Sequence, residues 1–84
     1  MIHAVLVDAY PGEAAARAAL GDESNYAPGR YAGAAAAAAP YLGIWRMPKP
    51  YDDTVVHVFS ADLSAGVLEE MGWTRPEPGA VDPG

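Results

Sequence analysis

The apolar and polar positions divide the chain into three strand-like and three helix-like stretches. Residues Ile2 to Val7 (Ile-His-Ala-Val-Leu-Val) are rich in β-branched side chains and apolar at both parities. That pattern predicts a strand covered on both sides. Pro11, Gly12 and Glu13 then open a helix: proline fits the first helical position, and a carboxylate in the first turn complements the helix dipole. Ala14 to Leu20 propagates it, and Gly21 supplies the stop. A polar loop, Gly21 to Asn25, leads to a second alanine-rich stretch, Pro28 to Ala39. Ala32 to Ala39 should be helical despite Gly33, because alanine has the highest helix propensity, and Pro40 ends it. The two stretches share a composition, Pro-Gly followed by alanines, without forming a repeat.

Tyr41 to Met47 predicts a second strand, with Leu42, Ile44 and Arg46 on one face and Tyr41, Trp45 and Met47 on the other. Pro48 to Asp53 is a turn-rich connection, since its two prolines cannot join a ladder interior. Thr54 to Ser60 is the third strand, with Val56 and Val58 on one face and Val55, His57 and Phe59 on the other. A connection this short makes the last two strands antiparallel neighbours. Asp62 is placed to N-cap a final helix, Leu63 to Met71, whose Leu63, Val67 and Met71 make an apolar stripe with Leu68 alongside. Gly72 stops it, and Trp73 folds back onto the core or onto a partner. Residues 75–84, rich in proline and glycine, read as a flexible tail behind a single domain over 1–74.

The order of elements predicts an α+β fold. Its simplest form is a three-stranded antiparallel sheet in order 1-3-2 with two or three helices on one face, a truncated ferredoxin-like arrangement. The opposite sheet face would then stand uncovered. That face, or the aromatic patch on the second strand, is the expected interaction surface.

Composition narrows the function. Eighteen of the apolar residues are alanine, so the hydrophobic share of 51% overstates the core. A buried Val or Leu contributes roughly 1.5–3 kcal/mol and a bare methyl far less. Small domains with thin cores often gain stability from disulfides, metals or association. With no cysteine and few metal ligands, the remaining route is self-association as a homodimer or binding to another protein. The absence of cysteine fits a reducing cytoplasm. The N-terminus reads as a strand and not as a signal peptide. The longest apolar run, Ala34 to Ala39, is far short of the roughly 20 residues that span a bilayer, so no membrane partner is expected. The formal charge of −6 opposes direct binding to duplex DNA, which needs clustered cations. It suits a basic partner, including a protein's own nucleic-acid-binding surface, and it also serves solubility.

Chemical equipment is sparse. His3 and His57 fall on strands that the expected order makes neighbours, with Asp8, Asp52 and Asp53 the nearest further ligands by element, but no ligand spacing supports a metal site. Asp52-Asp53 before a strand reads as turn chemistry before a catalytic pair. Ser60 lacks a neighbouring base and reads as a strand-end or capping residue. Gly29 and Gly33 near Arg30 lack the lysine and spacing of a phosphate loop. Neither catalytic residues nor a cofactor are therefore assigned. The densest functional cluster is Tyr41, Trp45 and Tyr51 with Arg30, Arg46 and Lys49, because Trp, Tyr and Arg dominate binding hot spots. Tyr41 and Trp45 are equally readable as core beneath the alanine helices, and the sequence leaves both readings open.

The sequence supports two function classes. The first is a small acidic, non-catalytic protein-binding module, an inhibitor or accessory protein of the kind carried by phages and mobile elements. It would dock through Tyr41, Trp45, Arg46 and Tyr51 with Asp52 and Asp53 as an acidic rim. The second rests on the opening strand, Pro11-Gly12-Glu13 and the alanine helix, followed later by the Asp53-to-Phe59 strand running into Asp62 and a helix. Over about half the chain this order resembles antibiotic-biosynthesis monooxygenase-like proteins. The resemblance implies a dimeric α+β barrel, an enzyme or ligand-binding protein that pairs two sheets face to face and in some members needs no cofactor. It carries over no active site, and Trp45, His57 and Asn25 are the residues it would put to the test.

Overall fold

The structure, a computed structural model, describes residues 1–25 and 32–76. Three strands, β1 (His3–Leu6), β2 (Tyr41–Arg46) and β3 (Val55–Phe59), form one antiparallel sheet in the order β1-β3-β2. Three α-helices, α1 (Glu13–Gly21), α2 (Ala34–Ala37) and α3 (Ala65–Glu70), accompany it, with a 3₁₀ turn at Glu23–Asn25. This is the small α+β fold and the sheet order that the pattern predicts. Each strand is shorter than its apolar stretch. Residues just outside still bond: Val7 N–H donates to the Val55 carbonyl at 3.2 Å and Met47 N–H to the Thr54 carbonyl at 3.0 Å.

Direct cross-strand partners share a face. The pairs His3–Phe59 and Val5–His57 belong to one face, and Ala4–Val58, Leu6–Val56 and Trp45–Val56 to the other. On the first face, Ala16 and Leu20 of α1, with Ala39 beyond α2, bury Val5 and Phe59. Helix α1 does not start at Pro11. Gly12 is its N-cap in extended conformation, and its carbonyl accepts from Ala16 at 2.9 Å. Nor does Gly21 terminate it by leaving the helix. Gly21 stays helical, and α2 packs so close to it that a Cβ there would meet the Ala37 Cβ at 3.2 Å.

Helix α2 is confined to four alanines. Gly33, at φ +91°, breaks the chain direction just before it, and its N–H donates to the Leu20 carbonyl at 3.0 Å. The expected start near Pro28 lies outside the described residues. Arg17 supplies the grip that alanine methyls lack. Its Nη1 donates to the carbonyls of Ala37 and Ala39, each at 2.8 Å, its Nη2 to Glu13 at 2.8 Å, and its guanidinium lies 5.0 Å from the Phe59 ring centroid.

Over β2 and β3 the second face is covered, which corrects the expectation of an open one; on β1, Ala4 and Leu6 stay exposed. Leu68 of α3 and Trp73 cover Trp45, Val56 and Val58, with Ile2, Leu42, Met47 and Ala65 around them. Helix α3 is held there by its C-terminus. Gly72, at φ +98°, donates to the Glu69 carbonyl at 3.1 Å, and Trp73 N–H donates to the Leu68 carbonyl at 3.0 Å. This pairing brings the residue two beyond the cap against the last turn, so Leu68 and Trp73 meet. The buried position of α3 is Leu68, while Met71 of the expected stripe is half exposed and Leu63 precedes the helix.

The N-cap is also corrected. Ser64 takes that role, accepting from Val67 N–H at 3.4 Å. Asp62 instead binds the Met1 amine through Oδ2 at 2.6 Å and the Ser60 hydroxyl at 2.8 Å. Those two partners hold its carboxyl below the ordinary carboxylate range. Ser60 is the strand-end cap the sequence suggests, buried and accepting from Leu63 N–H at 3.1 Å.

Candidate functional site

The six residues singled out for docking separate into two groups. The cause is Gly43. Tyr41 pairs with Phe59 and Gly43 with Val58, so Tyr41 and Leu42 together oppose one residue of β3. Such a bulge inserts an extra residue and reverses the parity of the strand beyond it. Strict alternation put Tyr41 and Trp45 on one face, whereas the bulge sends Tyr41 to the α1 side and Trp45 to the α3 side. Gly43 sits at φ +99°, a conformation side chains disfavour.

Trp45 is 1% exposed. Its Nε1 donates to the Leu42 carbonyl at 2.9 Å, and the Arg75 guanidinium stacks on its ring at 3.9 Å from the centroid. Arg75 also donates to the Ile44 carbonyl at 3.3 Å. Composition assigned Arg75 to the tail, yet it seals the edge of the indole. Residues 77–84 lie outside the described residues. A Cβ at Gly43 would fall 2.6 Å from Arg75 Nη1. Gly43→Ala is therefore expected to cost about 1–3 kcal/mol, chiefly from backbone strain, and to displace Arg75. A lowered thermal midpoint by circular dichroism checks it.

Tyr41 is half-buried and belongs to a buried polar cluster that the alternation pattern does not show. Its hydroxyl lies 2.9 Å from His57 Nδ1, and His57 Nε2 lies 2.7 Å from the Tyr10 carbonyl. A carbonyl only accepts, so Nε2 carries the proton; in the neutral ring Nδ1 then accepts from the Tyr41 hydroxyl. Burial, and then the Glu13 carboxylate, push the Tyr41 phenol above its ordinary value, with Arg75 pulling back. Tyr41 thus stays an O–H donor at neutral pH. Both ring nitrogens of His57 are engaged, which leaves no lone pair for a metal. Among the described residues, no three His, Cys, Asp or Glu side chains gather where they could hold a metal ion.

The second group lies on the β2–β3 turn. Arg46, half-buried, anchors it. Its backbone exchanges hydrogen bonds with Thr74 at 2.7 and 3.1 Å, and its Nη1 donates to the Asp52 carbonyl at 3.0 Å. Within the turn, Tyr51 N–H donates to the Pro48 carbonyl and Thr54 N–H to the Tyr51 carbonyl, each at 2.9 Å. Tyr51 itself is 61% exposed, and Asp52 and Asp53 beside it are exposed. The strand register brings Asp8, which follows β1, to the same end of the sheet. Arg30, grouped with these residues by composition, lies outside the described residues.

Compared with known proteins, the chain matches no family model, no curated protein and no solved structure. Among the described residues, no helix is long and apolar enough to cross a membrane. The dimeric-barrel reading pairs an open sheet face with a second copy; α3 with Trp73 covers that face over β2 and β3, and Ala4 and Leu6 of β1 stay exposed on it. Of the three residues it would test, Trp45 and His57 are both 1% exposed and engaged within the fold, and Asn25 ends the 3₁₀ turn after α1.

Proposed function

We propose that this protein is a small acidic, non-catalytic protein-binding module, an inhibitor or accessory protein of the reducing cytoplasm, that docks through its β2–β3 turn. The observation that carries this reading is Tyr51, a large aromatic side chain 61% exposed on a turn whose backbone is already fixed by hydrogen bonds. Tyrosine is enriched among residues that dominate interfaces, and a pre-ordered loop loses less freedom on binding. Asp52, Asp53 and Asp8 outnumber Arg46 and Lys49 at that end and leave it net negative, which steers a basic partner. Arg46 positions the turn from behind. Tyr41 and Trp45 serve it indirectly, by holding β2 against the two helical layers.

The test is affinity enrichment from the cells that make the protein, with four tagged forms. Wild type and Glu69→Gln, altered on the exposed side of α3, are expected to retain the same proteins. Tyr51→Ala and the double variant Asp52→Asn, Asp53→Asn are expected to lose them. Equal retention by all four forms would overturn the docking surface.

A further inference from the structure

We propose that the outer edge of β1 is a self-association surface, on which two copies of this chain pair β1 against β1, antiparallel about a two-fold axis at Ala4. The sheet has two edges, and they differ. The β2 edge is closed by the backbone bridge between Arg46 and Thr74 and by the Arg75 side chain bonded to Ile44. The β1 edge has no described strand beyond it.

The hydrogen-bond pattern shows which groups that edge presents. Val7 N–H bonds to the Val55 carbonyl, so Val7, Val5 and His3 turn their backbone groups toward β3. Along a strand the directions alternate, so Ala4 and Leu6 turn theirs outward. The Leu6 carbonyl is taken by Tyr10 N–H at 3.1 Å. The Ala4 N–H, the Ala4 carbonyl and the Leu6 N–H remain, with the carbonyl of Ile2, just before β1, outward by the same alternation.

A second copy satisfies these groups in one register. Each Ala4 N–H meets the Ala4 carbonyl of the other copy, and each Leu6 N–H meets the carbonyl of Ile2 in the other. The occupied Leu6 carbonyl is not required. The same register sets Leu6, 52% exposed, across from Ile2 of the second copy, an apolar pair on the Val56 side of the sheet. Natural edges are guarded by shortness, lysine, proline, inward charges or bulges. Of these, residues 2–7 show only shortness, β1 having four residues. A neutral strand offers a basic peptide no counter-charge along its length, but it meets its own copy without like charges opposed. Because the other edge is closed, pairing ends at a dimer and does not propagate.

Each chain carries −6, so two copies repel through the rest of their surfaces. Salt screens that repulsion, and the dimer should tighten as salt is raised. Sedimentation equilibrium over a wide concentration range, at low and high salt, tests this. Wild type is expected to dimerise, more tightly in salt. Ala4→Pro removes the outward N–H and leaves the β3 ladder intact; Leu6→Lys places a charge at a side chain already exposed. Each is expected to weaken the dimer by about tenfold or more, the equivalent of losing its hydrogen bonds or apolar pair. Tyr51→Ala should leave the mass unchanged, which separates this surface from the turn. Should Ala4→Pro fail to fold by circular dichroism, Leu6→Lys decides. A wild-type monomer at the highest soluble concentration, a dimer that salt weakens, or a dimer indifferent to Leu6→Lys overturns the proposal.

Discussion

Trp45→Ala is expected to cost about 3–5 kcal/mol of folding stability, as removal of a fully buried aromatic does, whereas Tyr51→Ala should cost no more than about 0.5 kcal/mol, as an exposed site does. The two residues belong to one aromatic stretch and differ in every physical respect. Trp45 contacts the Val56, Val58, Leu68 and Trp73 cluster, is 1% exposed and is capped by Arg75. Truncating it leaves a cavity in the cluster that Leu68 of α3 joins. Native stability of about 0.05–0.15 kcal/mol per residue leaves a chain this short little reserve. The variant should therefore unfold at much lower urea or be partly unfolded at room temperature. Urea titration followed by far-ultraviolet circular dichroism reads both variants on one scale. A Trp45→Ala protein as stable as wild type would contradict the covered second face over β2 and β3.

The second large effect is expected at His57. Its ring is 1% exposed and bridges the Tyr10 carbonyl in the β1–α1 connection to the Tyr41 hydroxyl on β2. His57→Ala opens a cavity and removes the two hydrogen bonds that the ring makes to the Tyr10 carbonyl and the Tyr41 hydroxyl, a loss of about 2–4 kcal/mol. Tyr41→Phe removes only one hydroxyl and leaves Nδ1 unpaired, so its cost should be smaller, about 1–3 kcal/mol. Chemical denaturation of both variants checks the order. Equal stability of wild type and His57→Ala would mean that the bridge contributes nothing to the fold.

Much of the architecture is legible in the chain because it depends on local chemistry. Alternation and β-branching mark the strands, Pro40 and Pro48 bound them, and the short connection between β2 and β3 forces antiparallel pairing. Those features give the β2–β3 pair; placing β1 beside β3 followed from the simplest ferredoxin-like arrangement, which the sheet adopts. The docking cluster was less legible because it turns on one glycine. A glycine inside a strand pattern signals a bulge or a close backbone approach, and Gly43 is both. Reading through it at strict alternation put Tyr41 and Trp45 on the same face. Helix α3 misled for a related reason. Leu63, Val67 and Met71 share a helical face, but Ser64 starts the helix later, and the close at Gly72 selects Leu68 and Trp73 for burial.

Other features carried no local signal. Arg75 lies in a stretch whose composition reads as tail, and its place over Trp45 comes from the Thr74 bridge to Arg46. The His57 cluster joins residues distant in sequence, since Tyr10 and His57 meet only after β1 pairs with β3. By contrast, the exposure of Tyr51, Asp52 and Asp53 is what a proline-rich turn implies.

The measurement that bears most directly on the docking turn is photo-crosslinking in the cells that make the protein. A benzophenone amino acid replaces Tyr51 in one form and Met71, exposed on the other layer, in a second. Docking through the turn predicts a discrete adduct with another protein from position 51, lost when Asp52 and Asp53 are changed to asparagine, and no such adduct from position 71. Adducts from both positions alike, or from 71 alone, would contradict it.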